Sequence, residues 1–193
     1  MNTVHLKLIK DISKYIPLKE EDIRTISEAF LPINVPKNTI LEEENKTTKY
    51  LYYIIEGYVR VFYTKDGDEL TTQINCPSGF ITSFQSFITH SKAYDNVQTI
   101  SECTLLRITK ESLDTLNERV KDWGIYGEKI YKKALVYNED RTRDMILLSA
   151  EERYVKLMKT QPDFIQKVPL QYIASYIGIK PESLSRIRRQ MTS

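Results

Sequence analysis

The stretch ASYIGIKPESLSRIRRQ, residues 174–190, gathers one glycine, one proline and three arginines around regularly spaced Ile and Leu. Just upstream, VPLQYIASYI places Leu170, Ile173, Ala174 and Ile177 at i, i+3, i+4 and i+7, one apolar face of a helix. Pro169 suits the first turn of that helix, and Ala174 is small enough for a second helix to cross closely. Gly178 stands where a residue in the left-handed conformation ends a helix. Pro181 then opens a second helix, with Ile179 and Leu184 placed as a hydrophobic staple around its start. Leu184, Ile187 and Met191 give this helix its inward face. Glu182, Ser185, Arg186 and Arg189 occupy the other, flanked by Ser183 and Arg188. The pattern predicts a helix-turn-helix. Its free face can aim guanidinium forks at guanine O6 and N7, and a carboxylate at cytosine N4, in a major groove. A helical hairpin with a merely solvated basic face is the competing reading; turn, staple and polar face together favour DNA.

The charge distribution agrees. The chain of 193 residues has a formal net charge of +2, yet residues 151–193 hold eight Lys and Arg against four Asp and Glu. A basic end on a weakly acidic body suits a polyanionic partner. Hydrophobic residues at 41% and charged residues at 28% describe an ordinary globular chain. No apolar run approaches the ~20 residues that span a bilayer, and MNTVHLKLIKDISKY lacks a signal-peptide core. The expected compartment is therefore the cytoplasm, with no membrane partner. Cys76 and Cys103 make neither a disulfide framework nor a metal cluster, and read as buried strand residues.

Working back from the C-terminal end, SAEE at 149–152 is a capping box, and the helix it starts carries Tyr154, Leu157 and Met158 on one face. Gln161-Pro162-Asp163 stops it. A long helix precedes it, from about Val120 to Leu148. Within this helix Trp123, Gly127, Ile130, Ala134 and Tyr137 follow a 4-3-4-3 spacing close to a coiled-coil seam. Pairing with the same helix of a second copy is favoured over packing on its own sheet, because Gly127 and Ala134 permit close approach. Thr109 is placed to cap the helix TKESLDTL before it.

From 39 to 108 the pattern is that of strands. LYYII (51–55) and YVRVFY (58–63) flank a tight-turn signal at Glu56-Gly57, and TKDGDE (64–69) turns the chain into LTTQI (70–74). Further strands are expected at 80–84 and 97–108. Short strands at this interval predict an antiparallel sandwich or barrel. At the N-terminus Leu8, Ile12 and Ile16, then Ile23, Ile26 and Phe30, mark helical segments within 4–30, closed by Pro32 and Pro36. The organisation is thus α+β: a β domain with N-terminal helices over 1–118, a dimer helix over 119–148 and a helix-turn-helix domain over 149–193.

With LYYIIEGYVRVFY in the β domain and VPLQYIASYIGIKPESLSRIRR at the other end, the chain resembles the Crp/Fnr family of transcriptional regulators over nearly its whole length. The resemblance implies an antiparallel β-roll of the cyclic-nucleotide-binding, jelly-roll type, then a dimer helix and a winged-type helix-turn-helix. It implies double-stranded DNA, a second copy of the chain and RNA polymerase as partners. Carried over by position, Glu182, Ser183 and Arg186 match the family's base- and phosphate-contacting positions. Lys180 stands where many members have a Ser or Thr cap. The expected DNA-facing set is Lys180, Glu182, Ser183, Ser185, Arg186, Arg188 and Arg189.

The effector segment PSGFITSFQSFITHSKAYDNVQ (77–98) departs from the family pattern. Gly79 matches. Members that bind cyclic nucleotides use a Gly-Glu pair for the ribose and an Arg-Ser or Arg-Thr for the phosphate. Here Ser83-Phe84 and Ala93-Tyr94 stand at those positions. Without the arginine a buried phosphate loses its charge-assisted, bidentate partner, and Lys92 substitutes only in part. Cyclic AMP and cyclic GMP are therefore not expected as effectors. Tyr63, Phe80, Phe84, Phe87 and Tyr94, with Lys92, are candidate pocket residues, with aromatic core packing as the alternative. An iron–sulfur cluster needs four thiolates where the chain has two cysteines, and His5 and His90 read as surface residues, so no cofactor or metal is expected. The same shortage of His and Glu clusters argues against an enzyme with a cupin-like metal site. A ligand sensor whose terminal domain binds a protein instead of DNA is the remaining alternative.

Overall fold

A computed structural model describes residues 4–192. Among them, eight strands form two four-stranded antiparallel sheets. The first takes β1 (Leu31–Val35), β8 (Cys103–Thr109), β3 (Tyr50–Glu56) and β6 (Phe80–Ile81), in that spatial order. The second takes β2 (Ile40–Glu42), β7 (Asn96–Thr99), β4 (Val59–Lys65) and β5 (Asp68–Asn75). Ile54, Val59, Val61, Val97 and Leu105 meet between the sheets. The continuous apolar run of β3 has a cause: Ile54 faces the other sheet while its neighbours Tyr53 and Ile55 face a layer of helices.

Glu56-Gly57 turns the chain sharply but closes no hairpin, because β3 pairs with β6 and β8 whereas β4 pairs with β5 and β7. The turn carries the chain from one sheet to the other. Gly57 has φ +94°, and a Cβ there would lie 2.5 Å from both Cys103 Sγ and the Glu102 carbonyl, so glycine is required. Asp66-Gly67 does make the expected hairpin, with φ of 52° and 83° in the mirror-image turn that suits strand twist. The run 97–108 is two strands, not one. Ile100–Glu102 breaks it, with the Ile100 N–H donating to the Tyr58 carbonyl at 2.7 Å, and β7 and β8 fall in different sheets. The strand expected at 80–84 shrinks to Phe80–Ile81 and gives way to α3 (Phe84–Thr89), which buries Ser86 and Phe87.

Helices α1 (His5–Ser13), α2 (Glu20–Ala29) and α4 (Lys110–Arg119) cover the outer face of the first sheet with the start of α5 (Trp123–Leu147). Leu8, Ile12, Ile26, Phe30, Leu116 and Trp123 pack there against Tyr53, Leu106 and Ile108. Thr109 caps α4 as expected, accepting from the Ser112 N–H at 3.2 Å. His5 is buried, not exposed, with Nε2 2.7 Å from the Phe30 carbonyl oxygen; Cys76 is exposed just beyond β5, whereas Cys103 is buried. Those positions were misjudged because helix packing over the sheet, and the end of β5, are not visible in local periodicity.

Ser149 and Glu152 form the expected capping box on α6 (Ala150–Thr160). Beyond it lie α7 (Pro162–Lys167), α8 (Leu170–Tyr176) and α9 (Pro181–Thr192). Among the described residues no strand accompanies these helices, so the winged form is not built here. Pro162 starts a short helix where a hairpin would need extended chain. Leu157, Phe164, Ile173, Ala174 and Leu184 share one core, which Tyr58, Ile74 and Ile100 of the β domain join. No described helix is long and apolar enough to cross a membrane.

Candidate nucleic-acid interface and roll cavity

The helix pair α8–α9 has the geometry its sequence predicts. Ala174 and Leu184 are completely buried at the crossing, and Ile173 and Ile177 nearly so. Gly178 adopts φ +77°, with its N–H donating to the Ser175 carbonyl and the Ile179 N–H to the Ala174 carbonyl. Pro181 opens α9. Glu182, Ser185, Arg186, Arg188 and Arg189 are exposed on it, and Ser183 is half-buried near its start. The structure therefore brings the DNA-facing candidates onto one surface.

Lys180 is the exception. Its Nζ donates to Asp68 Oδ2 at 2.6 Å, on the β4–β5 hairpin. That contact belongs to a larger docking of α8 on β5, an edge strand with free backbone groups. Ser175 Oγ donates to the Glu69 carbonyl at 2.9 Å and accepts from the Thr71 N–H at 2.8 Å, while the Arg141 guanidinium reaches the Thr71 carbonyl. Beneath them Arg60, 1% exposed, donates to Gln98 Oε1 and Thr71 Oγ1 and pairs with Glu69. Its guanidinium lies 4.0 Å from the ring centres of both Phe62 and Tyr172. The sequence reading missed Arg60, although YVRVFY offers a clue. Alternation turns Val59 and Val61 inward, and Phe62 on the other side says that the outer face is covered too.

The seam expected on α5 faces its own protomer in large part. Trp123 is buried against Phe30 and Tyr126, Ile130 packs on the same core, and the Tyr137 hydroxyl lies 2.6 Å from that of Tyr176. Gly127 is half-buried and Ala134 is exposed. Away from this side the helix leaves apolar residues uncovered, among them Ile125, Leu135 (60% exposed), Val136, Ile146 (75%) and Leu147. The spacing alone was ambiguous because α5 is amphipathic on two sides at once.

Val61 and Tyr63 of β4, Thr72 and Gln73 of β5, Thr82 to Gln85 at the start of α3, and Tyr94-Asp95 enclose a cavity of about 180 Å³. Tyr63, Phe84 and Tyr94 line it as expected. Phe80 does not: it packs against Tyr53, Phe30 and Tyr126 in the helical layer. Phe87 is 1% exposed within the core, and exposed Lys92 lies outside the lining, forming a backbone bridge with Thr47. Asp95 was not foreseen; a single acid in a polar loop gives no local signal. Phe84 also meets Tyr131 of α5 edge-on, at 5.8 Å between ring centres.

Residues 32–119 match the family model for the cyclic nucleotide-binding domain. No curated protein matches the chain by sequence. Among solved structures, the c-di-GMP-responsive global regulator CLP of Xanthomonas campestris is 19% identical, with a TM-score of 0.70 over 90% of this chain and 92% of that one. FixK2 of Bradyrhizobium japonicum is 15% identical, with a TM-score of 0.72 over 84% of each chain. A Crp/Fnr-family transcriptional regulator of Eubacterium rectale is 17% identical, with a TM-score of 0.70 over 93% of this chain and 88% of that one. The described chain shares their fold.

Proposed function

We propose that this chain, which has the fold of the Crp/Fnr regulators and a roll of the cyclic-nucleotide-binding type, is a homodimeric, sequence-specific DNA-binding regulator of transcription. The observation that carries the reading is α9. Its inner side is anchored by fully buried Leu184 while Glu182, Ser185 and Arg186 stand free on the other, just past the Gly178 turn. The first turns of such a helix enter a major groove. In this reading Arg186 forks onto a guanine edge, and Arg188 and Arg189, a turn or more beyond the helix start that enters the groove, serve phosphates. The roll acts as an effector domain for a ligand other than cyclic AMP, and the protein works without catalysis, through contact with RNA polymerase.

Two-fold pairing of α5 places two copies of α9 in successive grooves, so the operator is an inverted repeat with half-sites ~34–36 Å apart. The test is selection of bound duplexes from a random pool, followed by binding across salt. Arg186→Ala should cost about 1–3 kcal/mol and relax preference at one position per half-site. A protein that selects no sequence, or whose Arg186→Ala variant keeps both affinity and preference, contradicts the reading and leaves a protein-binding terminal domain in its place.

A further inference from the structure

The roll cavity carries the wrong sign of charge for an anionic guest. No Lys or Arg lines it, and Asp95 does. The Oδ1 atom of Asp95 is out of contact with solvent and has no hydrogen-bond partner among the described residues. Burial pushes the carboxyl pKa up, the Ser83 hydroxyl opposes this, and the like charge of Glu44 adds to the rise. A phosphate placed here meets a desolvated like charge, which discriminates against nucleotides as well as failing to attract them.

Three aromatic residues line the same cavity with much of their area open: Tyr63 is 39% exposed, Phe84 53% and Tyr94 65%. Exposed rings grouped at a cavity mark a binding surface, and ring faces attract cations. The volume, about 180 Å³, lies below the range of pockets that take drug-sized ligands, so the guest has few heavy atoms. We propose that this cavity binds a small organic ammonium ion, with Asp95 as its counter-ion and Tyr63, Phe84 and Tyr94 as its walls. The inference deepens the effector-domain reading of the roll but is independent of α9.

Calorimetric titration of the full chain tests it with matched probes: choline against its neutral isostere 3,3-dimethylbutan-1-ol, and butylamine against butanol. At least one cation of the two should bind at millimolar concentration or below, about tenfold or more tighter than its neutral partner. Asp95→Asn should abolish that preference, and Phe84→Ala, a change at an exposed ring, should weaken the cation without unfolding the chain. Circular dichroism and thermal melts check the fold of each variant. Absence of binding by both cations, equal binding of cation and alcohol, retention of the preference by Asp95→Asn, or tight binding of cyclic AMP each overturns the proposal. Cation binding by a chain that ignores DNA supports it while removing the DNA reading, so the two fail separately.

Discussion

Leu135→Glu decides whether the outward side of α5 is the dimer surface. Leu135 is 60% exposed in the protomer. Fully burying a leucine side chain contributes ~1.5–3 kcal/mol, so covering the remaining area contributes about 1–2 kcal/mol per copy. A two-fold interface counts it twice, giving about 2–4 kcal/mol before any cost of bringing two carboxylates together. The dimer dissociation constant should therefore rise by about 30- to 700-fold. Sedimentation velocity over a concentration series reads this directly, and thermal melts verify that the fold persists, as expected for a residue that the protomer leaves open. Tyr137→Phe is the contrast. It removes a hydroxyl pair within the protomer, at 2.6 Å from Tyr176, and should cost about 1 kcal/mol of folding stability without changing association. If Leu135→Glu associates as tightly as the wild type, or Tyr137→Phe is the variant that dissociates, the assignment of faces is wrong.

Three further outcomes are expected. Arg60→Met should cost about 1–3 kcal/mol in urea denaturation, since Gln98 loses its donors, whereas Glu69, half exposed, is left in water; it should also uncouple α8 from β5, seen as a second transition. An unchanged single transition contradicts the docking role. Asp68→Ala should leave stability unchanged, because the Lys180–Asp68 pair is exposed, while it frees Lys180 for a phosphate and steepens the salt dependence of duplex binding by about one ion. An identical salt slope refutes this competition. The raised Asp95 carboxyl means that the native state holds its proton to higher pH than the unfolded chain does. Stability should therefore fall as pH rises from the ordinary carboxylate range through the raised value, and Asp95→Asn should flatten that part of a pH series of melts. A variant with the wild-type pH slope shows that Asp95 does not titrate in this way.

What was legible in the sequence follows from the range of the forces concerned. Gly178, Pro181 and the i, i+3, i+4 spacing of Leu170, Ile173 and Ala174 act within one or two helical turns, and the helix-turn-helix they predict is formed. Thr109 and the Ser149–Glu152 box are equally local and cap as read. The sheet assignment of β3 and β4 was not legible, since Glu56-Gly57 makes a tight turn whether the strands pair or part. The inner and outer sides of α5 were confused for a related reason. Both sides carry apolar residues, and only the fold shows that Trp123 and Tyr137 are spent within the protomer. Arg60 and Asp95 gave least warning, because a lone buried charge is defined by partners far along the chain.

The surroundings of those two residues share one ribbon, β4–β5. Along β4 the side chains alternate, so Val61 and Tyr63 face the cavity while Arg60 and Phe62 face Tyr172 of α8. On β5, Thr72 and Gln73 line the cavity, and the backbone of Thr71 and Glu69 holds Ser175. A two-stranded ribbon thus has the candidate ligand on one face and the helix-turn-helix on the other, one strand's thickness apart. Contact alone does not couple them. A guest can bias the position of α9 only if it binds the docked and undocked arrangements of this ribbon with different affinity, and its effect is bounded by that difference. Asp95 lies in the loop before β7, which pairs with β4, and Gln98 of β7 holds Arg60. A cation at Asp95 that moved this strand would act on the arginine under α8, and in that case reciprocity requires duplex DNA to shift the affinity for the cation by the same factor that the cation shifts the affinity for DNA.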